Sequence, residues 1–562
     1  MKLDPDLPVA QAHRAGCGSH PGVAAEPRST RGRWRVLVLI GVHLLIAGHL
    51  WHASRGRSLA PLEPSEAGRY WTEGVLNAGL VLLVLLIVST LLLGRFFCGW
   101  ACHVVALQDG SAWLLSKFGI RPRPIRSRLL AFVPLLAALE IFLLPGLLRG
   151  VPDATRWEFA TDTFFTRFPG PVMTVITFLA VGLAAVWILG AKGFCSYGCP
   201  YGALFSIADR VTKARILVSD ACEGCGHCTA VCTSGVQVHR EVRDFGQVVD
   251  PGCMKCMDCV SACPKDALSF GFGPAPKALA AKSEGRPRKT ARQFDFSWPE
   301  ELLMVVVFFL GVFALRGLVP LLLAVILSVF AALGGVLTSR LALRGNVRFQ
   351  GRVLRSNGRW TGSGGVAAAV LLLGAGFVAS SLWLKFELLA SGRALRAGLG
   401  PAAVQAPLLR ARRLAFLPVP GLELEIGRQA ELLRDLESAT QAFERAASRF
   451  PEDPDAHLGL SRTRASAGDF EGAALALEAA LDLREDALGS LELEQIAQLL
   501  PTVQAWIEAE PDGLGPTLLL TRFQIAVGDG TTARKNLEML QTKYPGESRV
   551  EARLASIALE DR

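Results

Sequence analysis

Eight cysteines in two consecutive runs constrain this chain more than any other feature: Cys222-x2-Cys225-x2-Cys228-x3-Cys232, then Cys253-x2-Cys256-x2-Cys259-x3-Cys263-Pro264. Thiolates at this spacing are the ligand set of two cubane [4Fe–4S] clusters, where three ligands come from one tight loop and the fourth from the other motif. By that crossing, Cys222, Cys225, Cys228 and Cys263 would hold one cluster, and Cys253, Cys256, Cys259 and Cys232 the other. Short loops also aim backbone N–H groups at the sulfurs, which stabilises an anionic cluster. Zinc ribbons separate their cysteine pairs by longer stretches, and disulfide frameworks belong to short secreted chains. Iron is the better fit.

Around this core the composition predicts a membrane. Hydrophobic residues make up 51% of the 562 residues and charged residues only 19%. A formal charge of +9 does not predict a nucleic-acid surface, because the arginines cluster beside apolar segments. Seven stretches are long and apolar enough to predict helical spans: Val36–Trp51, Val75–Gly94, Leu129–Leu148, Pro171–Gly190, Leu302–Leu315, Leu318–Ser339 and Val366–Leu384. Arg316 and Pro320 between the fifth and sixth predict a hairpin turn; one long kinked helix is the alternative and would invert everything downstream.

Charge placement predicts the sides. Arg28, Arg31, Arg33 and Arg35 precede the first stretch, and Arg95, Lys117, Arg121, Arg123, Arg126 and Arg128 follow the second. Arg340, Arg344, Arg348, Arg352, Arg355 and Arg359 lie between the sixth and seventh. All three groups would face the cytoplasm. A bacterial cytoplasmic-membrane protein of several spans follows, with the cysteine runs inside and the C-terminal region in the periplasm. The polar first thirty residues predict no cleaved signal.

The fold class is therefore mainly α: a polytopic helical bundle with an inserted α+β ferredoxin domain and a C-terminal helical-repeat region. The expected divisions are a polar tail (1–35), a four-helix membrane region (36–194), a ferredoxin domain (195–275), a linker (276–298), a three-helix membrane region (299–386), a second linker (387–428) and a repeat domain (429–562). In that last region Ala442–Ala447 and Ala476–Leu481 align at an offset of 34 residues, the period of tetratricopeptide helix pairs. Stacked pairs would form a concave surface that grips a protein partner; a small helical bundle without a ligand is the other reading.

Four further cysteines form two CxxxC pairs, Cys98/Cys102 after the second stretch and Cys195/Cys199 after the fourth. Meeting across the bundle, they could take a metal ion, copper or a further cluster. As inert turns, they would only shape the docking of the ferredoxin module. Twelve of the 13 cysteines thus fall in motifs, Cys17 standing alone, which is ligand usage rather than disulfide usage.

Cys98-Gly99-Trp100-Ala101-Cys102 after one span, Cys195-x3-Cys199-Pro200-Tyr201-Gly202-Ala203 after a later one, and then twin ferredoxin motifs resemble the membrane polyferredoxins of the NapH and NosR type. A CcoG-like cousin group assists copper-centre assembly. The resemblance covers roughly Val75 to Pro264. It implies cytoplasmic clusters and electron transfer between a quinol pool, or another membrane carrier, and a redox partner. Two departures stand out: His103 follows the first pair where the family has proline, and the first ferredoxin run closes Cys232-Thr233 rather than Cys-Pro.

Outside these motifs, His43, His49 and Glu140 are ionisable residues at membrane depth, where charge is costly. Interhelical hydrogen bonding is the simpler use for the histidines; Glu140 would accept a quinol proton or serve as a structural acid. His227 and His239 read as hydrogen-bond partners, since eight cysteines already complete both cubes. The expected function is one-electron transfer through two [4Fe–4S] clusters, with no side chain acting as nucleophile or acid. The alternative is a copper reductase, assembly or regulatory factor that recruits its client through the repeats.

Overall fold

The computed structural model describes residues 31–56, 58–150, 152, 154–161, 170–275, 294–483, 514–526, 529–547, 550–551 and 553–554. Cys17, most of the 276–298 linker and the chain's last residues lie outside them. Two compact units divide the chain, Met1–Val378 and Ala379–Arg562.

In the first unit, helices long and apolar enough to cross a membrane are Trp34–Ala53, Val172–Leu189, Trp298–Leu315 and Leu321–Leu343; helix Gly362–Arg396, also of this kind, contains the boundary between the units. Ala78–Leu93 and Leu130–Phe142 are apolar but shorter. The expected stretch Leu129–Leu148 is broken: one helix ends at Phe142, and Leu144–Arg149 begins anew with Pro145 in its first turn. Proline lacks the N–H that would continue the helix. Span four keeps its length but carries a π-helical segment at Ala180–Ala184.

The fifth and sixth stretches are two helices, not one. Gly317, at a φ of +77°, turns the chain between them. Their close crossing needs Gly311, where a Cβ would stand 2.9 Å from Ser328 Oγ. Ser297 and Glu300 form a capping box at the start of Trp298–Leu315, satisfying its first N–H groups. One turn on, the buried Glu301 accepts from Ser127 Oγ at 2.6 Å and from the Arg128 and Leu129 N–H groups at 2.9 and 3.2 Å. This carboxylate fastens the later hairpin to the start of the third apolar helix.

Two connecting regions hold regular structure. The arginine-rich stretch after the sixth helix holds a three-stranded antiparallel sheet, Val347–Phe349, Arg352–Ser356 and Arg359–Trp360, turned at Gln350–Gly351 and Asn357–Gly358. The stretch 387–428, read as a linker, is largely helical: Gly362–Arg396 runs on past Leu384, and Pro401–Leu414 and Leu422–Leu432 follow. Alanine, leucine and arginine outweigh the scattered glycines there.

The ferredoxin module has strands Ala214–Val218 and Leu268–Phe272 paired antiparallel, with Ile216 opposite Phe270. Ile216, Val236, Val242, Val248, Val260 and Leu268 form its core, together with Cys259 and Cys263.

The second unit is a succession of helices that includes Leu436–Arg449, Pro454–Ser466, Phe470–Leu483, Leu514–Ala526 and Gly530–Lys543. The fully buried Phe443 packs against Gly427 and Gly459, where any Cβ would overlap its ring. Leu477, its counterpart 34 residues on, is likewise buried. The sequence repeat is therefore a packing repeat.

Candidate metal centres

Both ferredoxin runs are built on one backbone plan. Gly224, Gly226 and Gly235 have φ values of +68°, +80° and +70°; Lys255, Met257 and Asp266, each 31 positions later, have φ values of 52°, 64° and 47°. Left-handed residues alternating with right-handed ones turn successive N–H groups inward and make an anion-binding concavity. The sulfurs use these donors. Cys232 accepts from the Ser234 and Val236 N–H groups, Cys253 from Lys255, Cys256 from Asp258, and Cys263 from Ala267 at 3.3 Å.

One cavity is lined by Cys222, Cys225 and Cys228 of the first run and by Cys263 of the second, with His227 and His239 at its edge. Cys259 lies within electrostatic reach of Cys253, Cys256 and Cys232, and of Cys228 after them. His239 Nδ1 and N–H bond the Thr229 hydroxyl at 2.8 and 2.9 Å, the hydrogen-bonding role read from the sequence.

This donor set fits iron–sulfur clusters. All twelve described cysteines are free of disulfides. Burial pushes the Cys228 and Cys232 thiols up to about 12, with neighbouring cysteines adding to it, and pushes Cys256 and Cys259 well above the ordinary range. Alone, these thiols are neutral at pH 7; a bound metal draws them into the thiolate form. Among the described residues no three His, Cys, Asp or Glu side chains converge on a single ion. A polynuclear cube sets its sulfurs wider than the ~4 Å of single-ion ligands.

The CxxxC pairs also meet. Cys98 and Cys195 are buried in one apolar cluster with Leu83, Leu86, Phe205 and Met254, and Cys102 packs against it. Cys199 lies within electrostatic reach of the other three. Burial pushes Cys102 up to about 12 and Cys199 well above its usual value. Two side chains complete the surroundings, of which Gln108 was not placed here from the sequence. Gln108 donates from Nε2 to Cys195 Sγ at 3.2 Å, and the Arg95 guanidinium hydrogen-bonds Cys98. A lone glutamine in the apolar stretch Val104–Leu107 and Ala112–Leu115 was the available signal.

The quartet lies against the second ferredoxin loop. Trp100 Nε1 donates to Lys255 O at 3.0 Å, and Arg95 Nη1 to Pro251 O at 3.0 Å. Gly99 sits so close that a Cβ would overlap the Met254 carbonyl and stand 3.2 Å from the Cys256 backbone. Beneath the seam, fully buried Asp209 accepts from Lys255 Nζ at 2.7 Å, from Arg215 Nη1 at 2.6 Å and from the Arg95 N–H at 3.2 Å. Arg35 reaches the same place from the first span, bonding Gly99 O at 2.7 Å and pairing with Asp109 and Asp258.

The remaining candidates find other uses. His43 Nδ1 bonds Leu39 O at 2.7 Å within its own helix, rather than across helices. Glu140 pairs with Arg316 at the hairpin turn. His103 opens the helix His103–Lys117, whose Trp113 and Leu114 are exposed.

Comparison with known proteins follows these sites. A family model described as a 4Fe-4S binding domain matches residues 77–121 and 172–218, and so covers each CxxxC pair; a 4Fe-4S dicluster domain matches 214–264, and a tetratricopeptide repeat 432–491. The methylamine utilization ferredoxin-type protein MauN of Methylorubrum extorquens is 31% identical over 169 residues, 28% of this chain and 53% of its own length. YccM of Escherichia coli is 31% identical over 214 residues, 35% of this chain and 56% of its own. The ferredoxin-type protein NapH of Haemophilus influenzae is 26% identical over 223 residues, 37% of this chain and 71% of its own. The chain thus spans little more than half the length of MauN and YccM. No solved structure matches it. The chain is thus similar to the ferredoxin-type proteins NapH and MauN and to YccM, and matches 4Fe-4S domains in its first half and a tetratricopeptide repeat in its second.

Proposed function

We propose that this protein carries single electrons between a membrane carrier, a quinol in the simplest case, and a redox partner through two [4Fe–4S] clusters. Cys222, Cys225, Cys228 and Cys263 hold one cluster; Cys253, Cys256, Cys259 and Cys232 hold the other. When bound, such clusters supply one-electron redox capacity at a potential set by hydrogen bonding and burial. The chain's part is to fix their places, donate N–H groups to their sulfurs and exclude water from the second site. The observation that supports this most is the cavity whose thiols come from both runs, three from one and Cys263 from the other. The names of NapH and MauN, ferredoxin-type proteins, and of YccM, an electron transport protein, point the same way.

In this reading the arginine-rich segments and the ferredoxin module face the cytoplasm of a bacterial inner membrane. The tetratricopeptide region, on the periplasmic side, recruits a protein partner by a concave surface of stacked helix pairs. The CxxxC quartet serves as a further metal or redox site. Anaerobic purification, with iron and acid-labile sulfide counted and EPR recorded against potential, tests the core of it. Two reduced-cluster signals that also appear with a quinol analogue are expected. Zinc in place of sulfide would end this reading, and reduction by dithionite alone with Cu(I) bound at the CxxxC thiols would move it to copper handling.

A further inference from the structure

Charge balance around the CxxxC quartet points to what it binds. Arg95 is buried, 5% exposed, and its Nε has no hydrogen-bond partner. Among the described residues it pairs with no carboxylate; its electrostatic partners are Cys98, Cys195 and Cys199. Asp209 accepts from the Arg95 backbone N–H, but its side-chain oxygens are already engaged by Arg215 and Lys255. Two buried cations, Arg215 and Lys255, therefore already share that anion, and the Arg95 guanidinium has no part in it. Burying a guanidinium with no anion beside it is unfavourable, so this arrangement calls for negative charge next to Arg95.

Other groups are oriented for the same kind of guest. Gln108 is fully buried, gives one amide hydrogen to Cys195 Sγ, and leaves its own Oε1 without a partner. Val104 and Val105 donate N–H groups to Cys102, as Gly202 does to Cys199. A Cβ on Gly202 would stand 2.8 Å from the Cys195 carbonyl oxygen, so the glycine lets the turns that carry Cys195 and Cys199 close on each other, with Arg95 Nη2 3.6 Å from the same point. N–H···S bonds to every side, with a fixed cation, describe a cradle for a thiolate-ligated anion.

We propose that Cys98, Cys102, Cys195 and Cys199 hold a third iron–sulfur cluster, that Arg95 is its counter-charge, and that it adjoins the Cys253–Cys259 loop rather than the Cys222–Cys228 loop. The placement rests on the seam, where Gly99, Trp100 and Arg95 touch Met254, Lys255 and Pro251. Cys222, by contrast, is exposed to solvent. The proposal extends the two-cluster reading above and depends on it. It leaves the ferredoxin module with an inner cluster facing the membrane bundle and an outer one facing water.

The test uses the full chain, purified anaerobically in detergent. Wild-type protein is expected to hold ~12 irons with matching sulfide, and Cys98→Ser with Cys195→Ser to fall to ~8 with both ferredoxin signals retained. The third cluster's magnetic interaction should broaden only the inner ferredoxin signal, and that broadening should vanish in the double variant. Arg95→Met should lower the iron count in the same way, and Arg95→Lys should restore it. Trp100→Phe, which removes one hydrogen bond at the seam, should shift the inner signal and leave the outer one unchanged. About eight irons in wild type, unchanged in the double variant, or copper or zinc at the quartet, would overturn the third cluster. A shift of the outer signal instead of the inner would overturn the placement. Absence of sulfide from wild-type protein would sink the two-cluster reading itself, a different failure.

Discussion

The two ferredoxin loops share every cysteine spacing and every left-handed turn, yet they are held in opposite ways. The first loop takes glycine at all three left-handed positions and leaves Cys222 exposed. Lys255, Met257 and Asp266 stand at the same positions of the second, each against a backbone preference worth ~1–2 kcal/mol. What holds them there is contact. Lys255 is pinned by Asp209, Met257 packs on the module's core, and the stretch from Met254 to Cys256 lies on Gly99 and Trp100. A loop on its own needs glycine; a loop seated on a partner surface can spend residues on binding that surface. One spacing thus produces an outer site and an inner site.

The strongest way to break this contrast is at Asp209. Asp209→Ala strips the shared carboxylate from Arg215 and Lys255, which should cost ~3–5 kcal/mol because it strands buried charge. EPR should show the second cluster signal lost or heterogeneous while the first persists; equal loss of both would mean that the loops are not separately supported. Lys255→Met is milder, since Asp209 keeps Arg215, and should lower the thermal midpoint for loss of visible cluster absorbance by the equivalent of ~1–3 kcal/mol. Gly226→Ala imposes on the first loop the strain that the second already bears. It should destabilise by ~1–2 kcal/mol, whereas Met257→Gly at the matching position should change stability by less than ~1 kcal/mol, both read from denaturant midpoints. Thr229→Val removes the hydroxyl bonded to His239 and should cost ~1 kcal/mol by the same measurement. The smallest effect belongs to the exposed Lys265–Glu223 pair at the outer cavity. Lys265→Ala should alter stability by under ~0.5 kcal/mol, and a larger change would show the outer site to be less solvated than its exposure indicates.

Much of this was readable along the chain because the controlling signals are local. Cysteine spacing encodes loop geometry, hydropathy encodes apolar helices, and the 34-residue offset from Ala442 to Ala476 encodes helix pairs. What the linear reading did not register lies where local signals are weak or cancel. Pro145 breaks the third apolar stretch, and the sheet at Val347–Trp360 depends on pairing across turns that charge counting does not register. Helix Pro401–Leu414 was masked by glycines on either side of it.

The linear sequence determined the inventory: which residues can ligate metal, which stretches are apolar, and that two matching loops would be made. It could do so because ligand spacing and periodicity act over a few residues. Only the tertiary structure decided which loop is inner, that Arg95 and Gln108 belong to the cysteine quartet, and that Asp209 joins the two motifs. Those pairings span long stretches of chain, 156 residues from Arg95 to Pro251, and are set by packing and the cost of burying charge.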